Sequence, residues 1–298
     1  MFISNVIDID DSNLTSSNVP LDDAPDWAAG TYEVGAEVLY QNNVFRATTS
    51  TSDRPDIGIG KDPQTWVRLG FANRYRMFNE GTDSQTESVD LIDVTFVPDT
   101  PCTVLALLGV DAYEATVSVP SQGYEETFSL VEAGVDNWWD YLNAPYDTKR
   151  TAVIDLLHLA GEEIRIQVKS ASEALGQPSQ GAVVKVGRVA TGLLEDVART
   201  GYTSRVGRES FSTRQRNPFG FWEIRKRRNV KTVGYVFNFD TDRLDYVESV
   251  FEKYVDVPAL YIGNPAYEHL TCFGICESYS LTHATWGSSD GTADVVEF

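Results

Sequence analysis

The cysteine and histidine residues near the end of the chain have the residue types of a zinc site. They are His269, Cys272, Cys276 and His283. Structural zinc sites commonly use Cys-x-x-Cys pairs, and this set contains none. If residues 272–276 form a strand, the two thiols lie on one face roughly 13 Å apart, too far for one tetrahedral ion. We therefore expect buried thiols, with no metal and no other cofactor.

Acidic residues are numerous enough to supply candidates for carboxylate chemistry, since the chain has 44 Asp and Glu. Glycosidase chemistry needs two carboxyl groups that face one bond. The adjacent pairs Glu125-Glu126 and Glu162-Glu163 would instead point to opposite faces of a strand. We find no phosphate-binding loop and no credible pair of nucleophile and base. The sequence therefore predicts a protein that is not an enzyme.

The segment from Arg199 to Lys231 is basic in an otherwise acidic chain. Ten Lys or Arg and two Glu give this segment a net charge of +8. The whole chain has a net charge of −20, so the residues outside the segment carry −28. Aromatic residues are interleaved with its arginines, and both types are enriched at protein interfaces. We interpret the segment as a long connection between strands that contacts another copy of the chain, or else as a solvated loop. The residues assigned to the contact between subunits are Phe219, Trp222, Arg225, Lys226, Arg227 and Arg228.

The elements that position these residues are predicted to be mainly strands. Residues 88–185 alternate apolar and polar at period two, which is typical of an antiparallel sandwich or jelly roll. One main helix is predicted from about Thr241 to Val255, with an apolar stripe along one face. We expect a mainly β fold in four parts: an acidic extended arm at 1–26, a small aromatic-rich β domain at 27–72, a β-sandwich at 73–187 and an α+β oligomerisation domain at 188–298.

The second of these parts has aromatic and glycine residues at regular spacings. The pattern is Trp27-x-x-Gly30-x-Tyr32-x-x-Gly35-x-x-Val38-x-Tyr40, followed by Phe45-x-Ala47, Pro55 and Trp66. It resembles the small chitin- and cellulose-binding modules of bacterial polysaccharide hydrolases. A module this small needs an aromatic core, to which we assign Trp27, Tyr40 and Phe45. The resemblance implies glycan binding, for which Tyr32 and Trp66 are chosen as the stacking platform; the alternative is that these two are core residues as well. The loop in which the family places its sugar-binding aromatics, residues 48–54, contains none here.

A further pattern connects this module to its neighbours. It consists of the run GFANRYRMF at residues 70–78 and the upstream run Ser17-Asn18-Val19-Pro20-x-Asp22-Asp23. Together with the module and the β-rich remainder, it resembles a family of tailed-bacteriophage tail proteins. The resemblance implies a virion structural component of the tail tip or fibre attachment region, with a rigid joint between domains. From the residues themselves, we expect Arg74 and Arg76 either to pair with acids of the next domain or to belong only to this joint. The implied partners are other tail proteins and copies of the chain itself, as a ring or trimer.

Several features bear on location and on the alternative function. The first ten residues contain no basic residue and no long apolar stretch, so no signal peptide is expected, and synthesis in the host cytoplasm is implied. No apolar run approaches the roughly 20 residues of a membrane span. The general acidity disfavours nucleic-acid binding. The alternative function is a non-catalytic carbohydrate-binding domain array of a polysaccharide-degrading enzyme or adhesin. The pair Trp138-Trp139, with Tyr141, is expected at a corner of the sandwich core.

Overall fold

A computed structural model describes residues 1–21, 23–79, 81–82, 84–132, 147–159, 161–216, 219–227, 229–283 and 285–298. Five residues named above, Asp22, Trp138, Trp139, Tyr141 and Arg228, lie outside this description. The prediction of a mainly β fold with one main helix near the C-terminus is confirmed. Within the described residues, no helix combines the length and the apolar character needed to cross a membrane.

The small module contains a three-stranded antiparallel sheet. Gln41 and Asn42 both have positive φ angles and form the tight turn of its first hairpin, a conformation that Asn adopts more readily than most residues. The core of the module consists of Val38, Phe45, Ala47 and Trp66. Elements of the first part of the chain are β1 (Phe2–Ser4), β2 (Leu14–Ser17), β3 (Glu37–Tyr40), β4 (Asn43–Ala47), α1 (Pro55–Gly58), β5 (Trp66–Phe71) and α2 (Asn73–Asn79).

A sandwich follows, and its alternating apolar residues point inward as predicted. A five-stranded sheet with the order β10-β9-β14-β7-β2 packs against a three-stranded sheet with the order β13-β8-β16. The elements of this region are β6 (Thr86–Val89), β7 (Leu91–Phe96), β8 (Cys102–Leu108), β9 (Glu114–Val119), β10 (Tyr124–Ser129), β11 (Val131–Glu132), β12 (Asp147–Thr148), β13 (Thr151–Leu159), β14 (Ile164–Lys169), α3 (Ala171–Ala174), β15 (Val183–Val186) and β16 (Arg188–Gly192).

The C-terminal part is an antiparallel sheet with the main helix on one face. Its order is β17-β1-β23-β24-β25-β22-β18, and β19 also pairs with β22. Phe251 of the helix lies parallel to Phe237 at 5.4 Å between ring centroids. The elements are β17 (Leu194–Asp196), β18 (Arg199–Thr200), β19 (Arg205–Ser210), β20 (Thr213–Arg216), β21 (Trp222–Arg225), β22 (Asn229–Asp240), α4 (Leu244–Tyr254), β23 (Ala259–Ile262), β24 (Thr271–Thr282) and β25 (Ser288–Glu297).

Strand β8 is buried on both faces, which the predicted alternation did not anticipate. Leu105 and Leu107 face the five-stranded sheet. Val104 and Ala106 face away from it and pack with Leu260 of the C-terminal sheet. The three-stranded sheet is therefore a middle layer, and a sheet covered on both faces has continuous apolar runs rather than alternating ones.

The first residues of the chain connect these layers. Strand β1 lies between β17 and β23 in the C-terminal sheet, and β2 forms the edge of the five-stranded sheet beside β7. The extended segment predicted at residues 1–26 thus contributes one strand to each of the two large parts of the molecule.

The joint after the small module is built on Asp23, which corrects the expected pairing of two arginines. The Asp23 carboxylate accepts a hydrogen bond of 2.9 Å from the Asn73 amide at the start of α2. Arg76 lies 3.4 Å from the same carboxylate, and Arg74 donates to the carbonyl of Val19. Within the described residues, both arginines therefore bind upstream groups, and neither forms an ion pair with an acid of the following domain.

Candidate assembly surface

The basic segment forms strands, where the sequence analysis expected a long connection. Strand β19 pairs with the first half of β22 from Arg205↔Gly234 to Ser210↔Asn229. The chain then continues into a second antiparallel pair, β20 with β21. The Arg227 amide donates a 3.0 Å hydrogen bond to the hydroxyl of Ser212 where the two pairs meet. Residues 211–216 and 219–227 thus belong to a two-stranded pair at the end of β19 and β22, and we call these residues the arm.

Solvent surrounds the arm. All its described residues are exposed except Ser212 and Thr213, which are half-buried. The exposed fractions of Phe219, Phe221 and Trp222 are 85%, 70% and 62%. Large apolar side chains are seldom grouped in this way on a soluble monomer, and such patches mark interaction surfaces.

The strand register divides the side chains of β20 and β21 between two faces. Residues directly opposite each other in an antiparallel pair lie on the same face. Arg214↔Ile224 and Arg216↔Trp222 form one face, and the Arg216 guanidinium lies 4.8 Å from the centroid of the Trp222 ring. We call this the aromatic face.

The opposite face of the hairpin is polar. Its directly opposed pairs are Thr213↔Arg225 and Gln215↔Glu223. Arg225, one of the residues predicted for the subunit contact, is therefore separated from Trp222 by the thickness of the hairpin.

Cations at the base of the arm are bound by their own chain, whereas those of the arm are not. Arg205 forms an ion pair of 3.3 Å with Asp294. The Lys231 ammonium donates a 2.6 Å hydrogen bond to the carbonyl of Thr271, and burial lowers the pKa of this lysine. In the described part of the chain, no carboxylate lies within ion-pair distance of the arm's basic residues, which are Arg214, Arg216, Arg225, Lys226 and Arg227.

Trp66, which the resemblance selected for sugar stacking, is instead the centre of the small module's core. Its side chain is completely buried, and its indole nitrogen donates a 2.9 Å hydrogen bond to the carbonyl of Asp53. The ring centroid of Tyr32 lies 5.4 Å away in an edge-to-face arrangement. The Tyr32 hydroxyl donates to the carbonyl of Ala28. This corrects the assignment of Trp66, because a ring with no exposed face cannot stack on a sugar.

The remaining aromatics of the module follow their predicted core assignment to different degrees. Phe45 is buried, and its ring lies edge-on to Tyr40 at 6.4 Å. Trp27 and Tyr40 are half-buried against the same cluster. The aromatic side chains therefore form the core of the module, because a domain of this size is too small for a large aliphatic core.

The thiols near the C-terminus lie inside the sheet. Cys272 and Cys276 are both buried in β24, and burial raises the pKa of their thiols to about 12 and about 11. Such thiols are poor metal ligands and poor nucleophiles because both roles need the thiolate. The described residues contain no group of three or more acidic, His or Cys side chains that could hold a metal ion.

One nucleophile motif escaped the sequence analysis. Gly287-Ser288-Ser289-Asp290-Gly291 matches the Gly-x-Ser-x-Gly pattern of serine hydrolases, which places an exposed serine on a sharp turn between a strand and a helix. Here Ser289 is completely buried inside β25, opposite Phe239, with its hydroxyl 3.1 Å from that of Thr241. The motif match therefore provides no nucleophile in this geometry.

Comparisons with known proteins leave the arm as the main functional evidence. No protein-family model matches the chain, and no curated protein is significantly similar to it.

Proposed function

We propose that this chain is a non-enzymatic structural subunit of a bacteriophage tail, at the tip or the fibre attachment region. In this proposal it assembles with copies of itself, as a ring or trimer, through the arm. The observation that carries the proposal is the exposed, basic and aromatic arm on an otherwise acidic molecule. The patterns at residues 17–23, 27–66 and 70–78 that resemble phage tail proteins support the particular setting.

Self-assembly follows from the distribution of charge. The segment that contains the arm carries +8 and the rest of the same chain −28, so unlike patches of identical copies attract each other. A contact between two different patches is heterologous, and it closes into a ring when the rotation between neighbours permits. Attraction between exposed charges weakens as salt screens them.

Glycan binding is not part of the proposal. Of the two aromatics chosen for a platform, Trp66 is buried and Tyr32 packs against it. An array of carbohydrate-binding domains would need a stacking surface that these two residues do not provide.

The proposal is tested by replacing residues 213–225 with a short Gly-Ser turn that joins Ser212 to Lys226. None of the described residues removed belongs to a buried core cluster, so the shortened chain should fold with an unchanged melting temperature. We expect the full-length chain to form a defined oligomer in sedimentation experiments at low salt and to dissociate partly at high salt. The shortened chain should stay monomeric, and an oligomer of the same size would contradict the proposed contact.

The tail setting has a separate test. The chain should be present at a fixed copy number in purified particles of the phage that encodes it, as measured by quantitative mass spectrometry. Its absence from such particles would contradict the virion assignment, even if the chain self-assembles.

A further inference from the structure

The two faces of the arm differ in a way that identifies which one makes the contact. Resting on the proposed function, we infer that the arm binds a second copy of this chain through its aromatic face, formed by Arg214, Arg216, Trp222 and Ile224. The opposite face, with Thr213, Gln215, Glu223 and Arg225, stays in solvent in the assembly. This assignment separates residues that the sequence alone had grouped together.

Apolar area favours the aromatic face. Trp222 and Ile224 have exposed fractions of 62% and 58%, and both lie on this face of the β20–β21 pair. The opposite face has no aliphatic or aromatic side chain in the paired strands. Removing apolar surface from water drives association at roughly 25 cal/mol per Å², so a neighbour gains more by covering the aromatic face.

Charge favours the same face. Arg214 and Arg216 give it two positive charges and no negative one, whereas Arg225 and Glu223 cancel on the opposite face. The Arg216 guanidinium also lies 4.8 Å from the centroid of the Trp222 ring, so charge and apolar surface are adjacent on this face. Trp and Arg are the residue types that most often dominate binding energy at the centre of an interface.

A second copy of the chain is the partner that fits this face. The chain outside the basic segment carries −28, which complements a face whose two arginines form no ion pair with the described residues. Nucleic acid also attracts arginine and aromatic side chains, but the acidity of the remaining molecule repels it. Binding of this face to duplex DNA would therefore contradict the inference.

The test compares two full-length variants that lose the same charge from the two sides of the arm. The first is Arg216→Ser and the matched control is Arg225→Ser, each of which removes one positive charge from one face of the paired strands. A third variant, Trp222→Ala, probes the apolar part of the aromatic face. Dissociation constants are measured by sedimentation at one low salt concentration, and circular dichroism checks that each variant folds.

We expect the first and third variants to weaken assembly about tenfold or more, a change typical of hot-spot residues. The control should change assembly by less than about threefold, because rim charges contribute little. Equal weakening by the first variant and the control would show that charge alone matters and would overturn the face assignment. Wild-type affinity in all three variants, while the arm-replaced chain stays monomeric, would overturn it as well but leave the proposed function intact.

Two other results bear on the partner. If the arm-replaced chain still assembles, the proposed function fails and the face assignment fails with it. If the first variant assembles normally but loses binding to duplex DNA in a gel-shift assay at physiological salt, the partner is nucleic acid and the inference is wrong.

Discussion

Asp90 is a buried carboxylate that joins three segments of the sandwich region. It sits between β6 and β7 with a positive φ of 61°, and its side chain accepts hydrogen bonds from the hydroxyls of Ser170, Ser172 and Ser179. These bonds, with that from Ser179 the strongest influence, hold the pKa of the Asp90 carboxyl below its ordinary value. The charged carboxylate is therefore the form that stabilises this corner.

Asp90→Asn should lower the free energy of unfolding at neutral pH, because an uncharged amide cannot accept all three hydroxyl bonds. Asn tolerates the positive φ, so the backbone is preserved. A carboxyl whose pKa is depressed by folding contributes stability above its unfolded pKa of about 4, and this contribution is lost as the pH falls through the folded pKa. The difference between wild type and variant should thus be constant above about pH 5 and shrink at lower pH, as measured by urea denaturation.

The control for this prediction is Asp99→Asn, at an exposed loop position, which should change the unfolding free energy little at any pH. A difference for Asp90→Asn that is the same at low and at neutral pH would show that the effect is steric and not due to charge.

Elements whose signals are local could be predicted from the sequence, and those that depend on a distant partner could not. The hairpin of β3 and β4 contains its own turn sequence, and the helix α4 has its own apolar stripe. Strand β8 carries a continuous apolar run at residues 104–108 that indicates burial on both faces, but only the fold shows that Leu260 of β23 covers the second face. Trp66 could equally have been platform or core, since only the fold places Asp53 and Tyr32 around it.

The arm, too, has some features that the sequence predicts and others that depend on the fold. Its basic and aromatic composition is evident from the sequence, and the proposed contact rests on that composition. Its hairpin form had a signal that was overlooked, since Asn217-Pro218-Phe219-Gly220 is a turn sequence and the alternating run WEIR follows at residues 222–225. The separation of Arg225 from Trp222 depends on strand register, which composition does not contain.

The small module should respond to core mutation as an element of its own. Phe45 is buried between β3 and β5, so Phe45→Ala should cost about 3–5 kcal/mol of the module's stability. In a sheet of only three strands, this loss should remove the module's own unfolding signal or shift it to a much lower temperature in calorimetry.

Val34→Ala is the matched control for Phe45→Ala. Val34 lies in the same module but is 66% exposed, and its truncation should leave the melting profile unchanged. Indistinguishable profiles for Phe45→Ala and Val34→Ala would mean that the aromatic cluster does not hold the module together.

At the scale of the whole molecule, the sandwich and the C-terminal sheet are built as one folding unit. One face of the middle sheet packs against the C-terminal sheet, where Val104 and Ala106 contact Leu260. The other face packs into the sandwich core through Leu105. Strand β1 inserts the beginning of the chain between β17 and β23. Neither part can lose its structure without exposing an apolar face of the other.

We therefore predict that both parts unfold in a single transition and that Leu260→Ala lowers the whole of it. Leu260 is completely buried in β23, and its truncation should cost about 2–5 kcal/mol.

Native-state hydrogen exchange can follow amides of β14 in the outer sandwich sheet and of β25 in the C-terminal sheet. In a cooperative unit, the most protected amides of both strands lose the same opening free energy, although β14 does not touch Leu260. A loss of protection confined to β25, with the protection of β14 unchanged, would show that the two parts unfold as independent domains. Phe45→Ala supplies the internal comparison, because it should leave the protection of both strands unchanged.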